Sequence, residues 1–160
     1  MRDQLFRQLA SGRFEEVSAT AGPAFAQMEI GRGAAFGDID NDGDVDIVVA
    51  NNGGPVMMLL NQTGSQNHWL QVRLEGAPRN RFGLGAWVGV ERRGAPTLWR
   101  RVKTDGSYLS ASDVRIHVGL GPSAALTGIV VHWPEGQRER WTEVAGDRLV
   151  ILRRGTGQSP

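Results

Sequence analysis

The chain contains no cysteine, which excludes disulfide staples, thiolate metal sites and cysteine nucleophiles. The redox compartment stays open, because exported proteins need not carry disulfides. No apolar run approaches membrane-spanning length, so no membrane insertion is expected. Residues 1–10 lack the apolar stretch of a secretory signal; if the protein is exported, its signal is expected upstream. Nothing reads as a long amphipathic helix. Lysine is nearly absent: the chain's basic residues are arginine except Lys103. Residues 1–62 hold 4 Arg against 9 Asp and Glu, a net of −5, and residues 63–160 carry the compensating positive charge. Those arginines are scattered among acids, which reads as a solvated surface, and no nucleic-acid partner is expected.

Against these absences stands one dense stretch, Asp38-Ile39-Asp40-Asn41-Asp42-Gly43-Asp44-Val45-Asp46, with an aspartate at every second position. Carboxylates so close repel one another unless a cation sits among them. Oxygen-only ligands suit a hard divalent ion, and calcium accepts six to eight of them. Asp38, Asp40, Asp42 and Asp46 are candidate ligands through their side chains, and Asp44 through its carbonyl, with Gly43 supplying the tight turn. The pattern starts like an EF-hand, but the twelfth position is Val49 rather than Glu, inside a strand-like run. The expectation is a calcium loop joining two β-strands; the alternative is an acidic solvated turn. A calcium ion pinning such a hairpin is expected to be structural, since no acid–base groups accompany it in this half.

Elsewhere, short β-prone runs alternate with turn signals. In the first 62 residues these are 5–9, 13–17, 34–37, 46–50 and 56–61, with a short helix at 3–10 as the alternative for the first. Residues 62–67 are polar and mark a boundary between a unit at 1–62 and another at 63–160. The second unit shows seven strand candidates at 68–75, 86–93, 98–104, 115–119, 126–133, 138–144 and 148–152, separated by Gly- and Pro-containing turns. That punctuation predicts a β-sandwich or barrel. The fold class expected is therefore all-β: part of a β-propeller, one or more incomplete blades, followed by a β-sandwich-like domain.

The segment Gly33-Ala34-Ala35-Phe36-Gly37-Asp38 through Ile47 resembles an FG-GAP/VCBS-type repeat, the blade unit of calcium-binding β-propellers. In the second unit, Asn67-His68-Trp69-Leu70, Asn80-Arg81-Phe82-Gly83-Leu84-Gly85-Ala86, Gly106-Ser107-Tyr108-Leu109-Ser110-Ala111-Ser112, His117-Val118-Gly119-Leu120-Gly121 and Val131-His132-Trp133-Pro134-Glu135-Gly136 follow the order of the ASPIC/UnbV domain. The two resemblances cover nearly the whole chain. They imply a calcium-binding, exported or extracellular protein with a binding or scaffolding role and no established reaction. One acidic motif does not close a ring, so the chain is expected to be the C-terminal part of a longer protein, or to assemble as a homo-oligomer.

Other constellations are weaker. His68, His117 and His132 share no metal-ligand spacing. Ser110, Ser112, Asp113 and His117 invite a hydrolase reading, but there is no Gly-x-Ser-x-Gly elbow, and hydroxyls bonding backbone amides explain the serines more simply. The expectation is a non-enzyme. Gly83-Leu84-Gly85 is no dinucleotide loop, because the next glycine, Gly89, falls one residue late and no helix follows. Finally, Trp69, Trp87 and Trp99 fall on the polar side of strand alternation, beside Arg73 and Arg101. This set is a candidate sugar-stacking surface, and its alternative is packing over sheet edges or against the propeller. The partner expected is thus a protein or a glycan.

Overall fold

The computed structural model describes residues 2–63 and 66–160; Gly64 and Ser65, within the stretch read as a linker, lie outside the described residues. These residues form twelve strands in four sheets, with two short 3-10 turns at Ser18–Thr20 and Pro23–Ala26. The chain is all-β.

The first unit begins with a hairpin, β1 (Phe6–Gln8) against β2 (Phe14–Glu16), closed where the Gly12 amide donates to the Leu9 carbonyl. A strand therefore stands where a short helix was the alternative. An antiparallel meander follows, β3 (Gly31–Gly37), β4 (Asp46–Asn51) and β5 (Met57–Leu59), with β4 in the middle. The acidic loop is the β3–β4 connection, and Gly37 pairs with Asp46 at its base.

The second unit is a two-sheet sandwich. One sheet runs β11 (Arg138–Trp141), β10 (Leu126–His132), β7 (Trp87–Arg92), β8 (Ala95–Arg101), all antiparallel. The other runs β12 (Leu149–Arg153), β6 (His68–Glu75), β9 (Ile116–Gly121), with β12 parallel to β6. Strand alternation explains the core. Leu70, Val72 and Leu74 of β6 join Val88 and Val90 of β7 and Ile129 and Val131 of β10 in one cluster, none more than 2% exposed. Each such side chain stabilises the fold by about 1.5–3 kcal/mol on burial. Buried Glu139 is fully employed, accepting from the Trp133 indole at 2.6 Å and the Gly155 amide at 2.8 Å.

Several strand boundaries differ from the sequence reading, two of them for a reason the topology supplies. The run Arg93-Gly94-Ala95-Pro96 reads as a four-residue turn, but the chain reverses at Arg93-Gly94, Arg92 pairs with Ala95, and β8 starts earlier than expected. Pro96 is tolerated there because β8 is an edge strand. Likewise β9 runs on to Gly121 through residues that read as a turn, because His68 at the start of β6 pairs with it.

Candidate metal centre

The loop is built by its own carboxylates. Asp46, 1% exposed, accepts from the Ile39 amide and from the Asn61 amide, both at 2.8 Å, and so ties the loop's base to the chain leaving β5. Asp38, 5% exposed, accepts from the Asp42 amide at 3.1 Å and the Gly43 amide at 3.0 Å. Asp42 in turn accepts from the Asp44 amide at 2.8 Å. Asn41 (φ 61) and Gly43 (φ 98) take the left-handed backbone needed to curl the chain over these oxygens.

The curl brings Asp38, Asp40 and Asp42 together, each offering a carboxylate oxygen within 4.8 Å of the others. Asp44 and Asp46 lie outside that trio. Asp46 serves as the clasp just described. Asp44 is buried, and its Oδ2 finds no hydrogen-bond partner among the described residues. A buried carboxylate oxygen with nothing to bind is costly. Desolvation, and then the charge of Asp42, push the Asp40 carboxyl above its ordinary value of 3.8. Crowded, under-compensated oxygens of this kind suit a hard cation, and the residues present fit one.

The second unit grips the loop from outside. Gln71 on β6, although polar, is 3% exposed, and its side-chain amide donates to Asp38 Oδ2 at 2.5 Å. Arg115 donates to the Asp38 carbonyl at 2.8 Å and to Asn41 Oδ1 at 2.9 Å, while its Nε meets Asp113. His117 Nε2 lies 2.6 Å from the Gly43 carbonyl. Trp69 lies against Gly43 so closely that a Cβ there would fall 2.1 Å from its Cε2, and it stacks on His117. The serine-rich segment covers the edge of β3. Ser107 and Ser112 hydroxyls accept from the Ala34 and Phe36 amides, and the Asp113 amide donates to the Phe36 carbonyl.

Sequence reasoning missed Gln71, Arg115 and His117 as loop contacts. The sequence carried no signal for them: Gln71 alternates with Leu70 and Val72 and reads as solvent-facing, and only the fold buries it.

The tryptophan set divides. Cross-strand pairing puts Trp87 beside Arg101 and beside His132, and Trp99 opposite Gly89 on the same face, with the Trp99 and His132 rings 4.9 Å apart. Trp87 is 48% exposed and Trp99 38%. Trp69 and Arg73 lie on β6 of the other sheet, where Trp69 contacts the acidic loop and the Arg73 guanidinium lies over the Phe82 ring.

The fold and loop define a class: a small β-meander carrying an acidic loop, packed through that loop on a β-sandwich. The ASPIC and UnbV family matches residues 76–159, over half the chain, and the chain belongs to it. An FG-GAP-like repeat matches residues 1–49. The chain is also 29% identical over 113 residues to cartilage acidic protein 1 of Xenopus tropicalis, a match covering 67% of this chain and 17% of that protein. The chain thus spans less than a fifth of that relative's length. β6 precedes the ASPIC and UnbV match, yet it supplies Leu70, Val72 and Leu74 to the sandwich core.

Proposed function

We propose that this chain is a calcium-binding, non-catalytic binding or scaffolding module of an exported protein, in which calcium is a structural cofactor. The observation that carries the reading is the convergence of the Asp38, Asp40 and Asp42 oxygens within 4.8 Å on the loop that follows an FG-GAP-like strand. The unpartnered Asp44 Oδ2 points the same way. Bound calcium would neutralise the crowded carboxylates. The protein's own part is to hold Asp38 through the Gly43 amide and Gln71, and to close the loop base through Asp46. The meander itself is read as part of a propeller: Phe6, Phe14, Ile30, Val56 and Met58 are each more than half exposed, as faces meant to be covered by neighbouring blades.

The test is thermal unfolding with calcium and with excess EGTA, for the wild type and Asp42→Ala. At calcium a hundredfold above Kd, the native state gains about 2.7 kcal/mol, a rise of about 5–10 °C for a chain of this size. The rise should vanish in the variant. Equal melting with and without calcium in the wild type refutes the reading.

A second reading, glycan recognition, draws support from the exposed Trp87, Trp99 and Arg101 and the half-buried His132, gathered on the face of one sheet. Flat indoles beside a guanidinium suit sugar rings, which stack on the one and hydrogen-bond to the other. Absence of any glycan-induced change in tryptophan emission across a panel, with Trp87→Ala as control, removes it.

A further inference from the structure

We propose that the metal loop is also the seat on which the sandwich docks, so that calcium affinity depends on side chains of the second unit and calcium in turn tightens the contact between the units. The proposal rests on the calcium reading above. It adds positioning residues, chiefly Gln71, that no spacing rule for the loop includes.

The contacts carry the argument. Asp38, the first carboxylate of the trio, has one oxygen held by both the loop's Gly43 amide and Gln71 of β6. Gln71 is uncharged, so it orients the carboxylate without cancelling the negative charge a cation needs. It is buried, so water does not replace it when the contact is lost. Arg115 holds the backbone carbonyl of that same Asp38, not its carboxylate, and places a guanidinium beside the loop without closing a salt bridge to the trio's oxygens. At the loop's other end, Gly43 is held by both Trp69 and His117. The second unit therefore fixes both ends of the stretch from Asp38 to Gly43 that supplies the three oxygens. Outer-shell partners of this kind commonly change metal affinity by 10–100-fold when removed. Linkage then requires the converse: an ion that binds the docked loop more tightly than a free one must favour docking by the same factor.

The experiment uses the full chain. Calcium affinity is measured by calorimetry for the wild type and Gln71→Ala, with Ile151→Ala as control. Ile151 is on the same sheet but exposed, and it makes none of the loop contacts described above. Amide hydrogen exchange of the wild type is followed with calcium and with EGTA. The expected result is affinity weakened about tenfold or more in Gln71→Ala and unchanged in Ile151→Ala. Calcium should also slow exchange both at 37–46 and at 105–115, the segment whose Asp113 amide bonds to Phe36. If the wild type binds calcium but slowed exchange is confined to 37–46, or Gln71→Ala binds equally well, the coupling is overturned while the calcium reading stands. If the wild type binds no calcium, both fall. Should Gln71→Ala fail to fold, the wild-type exchange pattern alone decides.

Discussion

At Gly43 two constraints coincide, a φ of 98° and an indole where a Cβ would stand. Gly43→Ala should therefore cost about 2–4 kcal/mol, combining backbone strain with displacement of Trp69; urea unfolding measures it. Asp46 acts by a different route. Its replacement by alanine leaves the Ile39 and Asn61 amides without their acceptor. A loss of about 2–4 kcal/mol is expected even with EGTA present, because the clasp works without metal. Asp147 provides a pH signature. Its carboxylate accepts from the Trp69 amide at 3.2 Å and meets His68 Nδ1 at 2.6 Å. The Trp69 amide first, and His68 after it, hold the carboxyl below its ordinary value of 3.8. A lowered folded value means that this Asp147 contact stabilises fully above 3.8 and is lost as pH falls from there through the folded value. The wild type should thus lose stability on acidification below 3.8 more steeply than Asp147→Asn, as read by melting temperature against pH.

Among elements, alternation governs which substitutions matter. On β10, Ile129 is fully buried in the sandwich core, whereas Ile151 on β12 is 51% exposed. Ile129→Val should cost about 0.5–1.5 kcal/mol, and Ile151→Val a few tenths at most, in the same denaturant titration. The period-2 pattern of β6 and β7 was enough to assign their inner faces. It was not enough to say what covers the outer ones. Trp69 and Gln71 alternate with Leu70 and Val72, so they read as solvent-facing; the acidic loop, remote in sequence, covers them. The β7–β8 boundary was misread for a related reason. Pro96 argues against a strand in sequence, and only the position of β8 at a sheet edge makes it acceptable.

For the whole molecule, the core is unevenly shared. Val49 is the one well-buried hydrophobic residue of the described part of the first unit, while the second unit carries a continuous cluster. The first unit depends on its contacts with Gln71, Trp69, Arg115 and the serine-rich segment. Residues 63–160 produced alone should unfold cooperatively, and residues 1–62 alone should show no cooperative transition by circular dichroism, since so few buried side chains do not offset the entropy of ordering the chain.

The sequence by itself determined the local matters. Asp38, Asp40 and Asp42 at alternate positions before Gly43 dictate a loop of converging oxygens, because spacing and a left-handed turn act within a few residues. Alternating apolar runs punctuated by glycine and proline dictate strands with one buried face. What only the tertiary structure decided is which distant groups complete those features. Gln71 lies 33 residues from Asp38, and Arg115 77 residues. Their contact with the loop follows from the pairing of β6 with β9, which sets Gln71 beside His117. No local pattern encodes that pairing, because hydrogen bonds between strands are made by backbone groups common to every residue, and the register is settled only when the core on the other face closes.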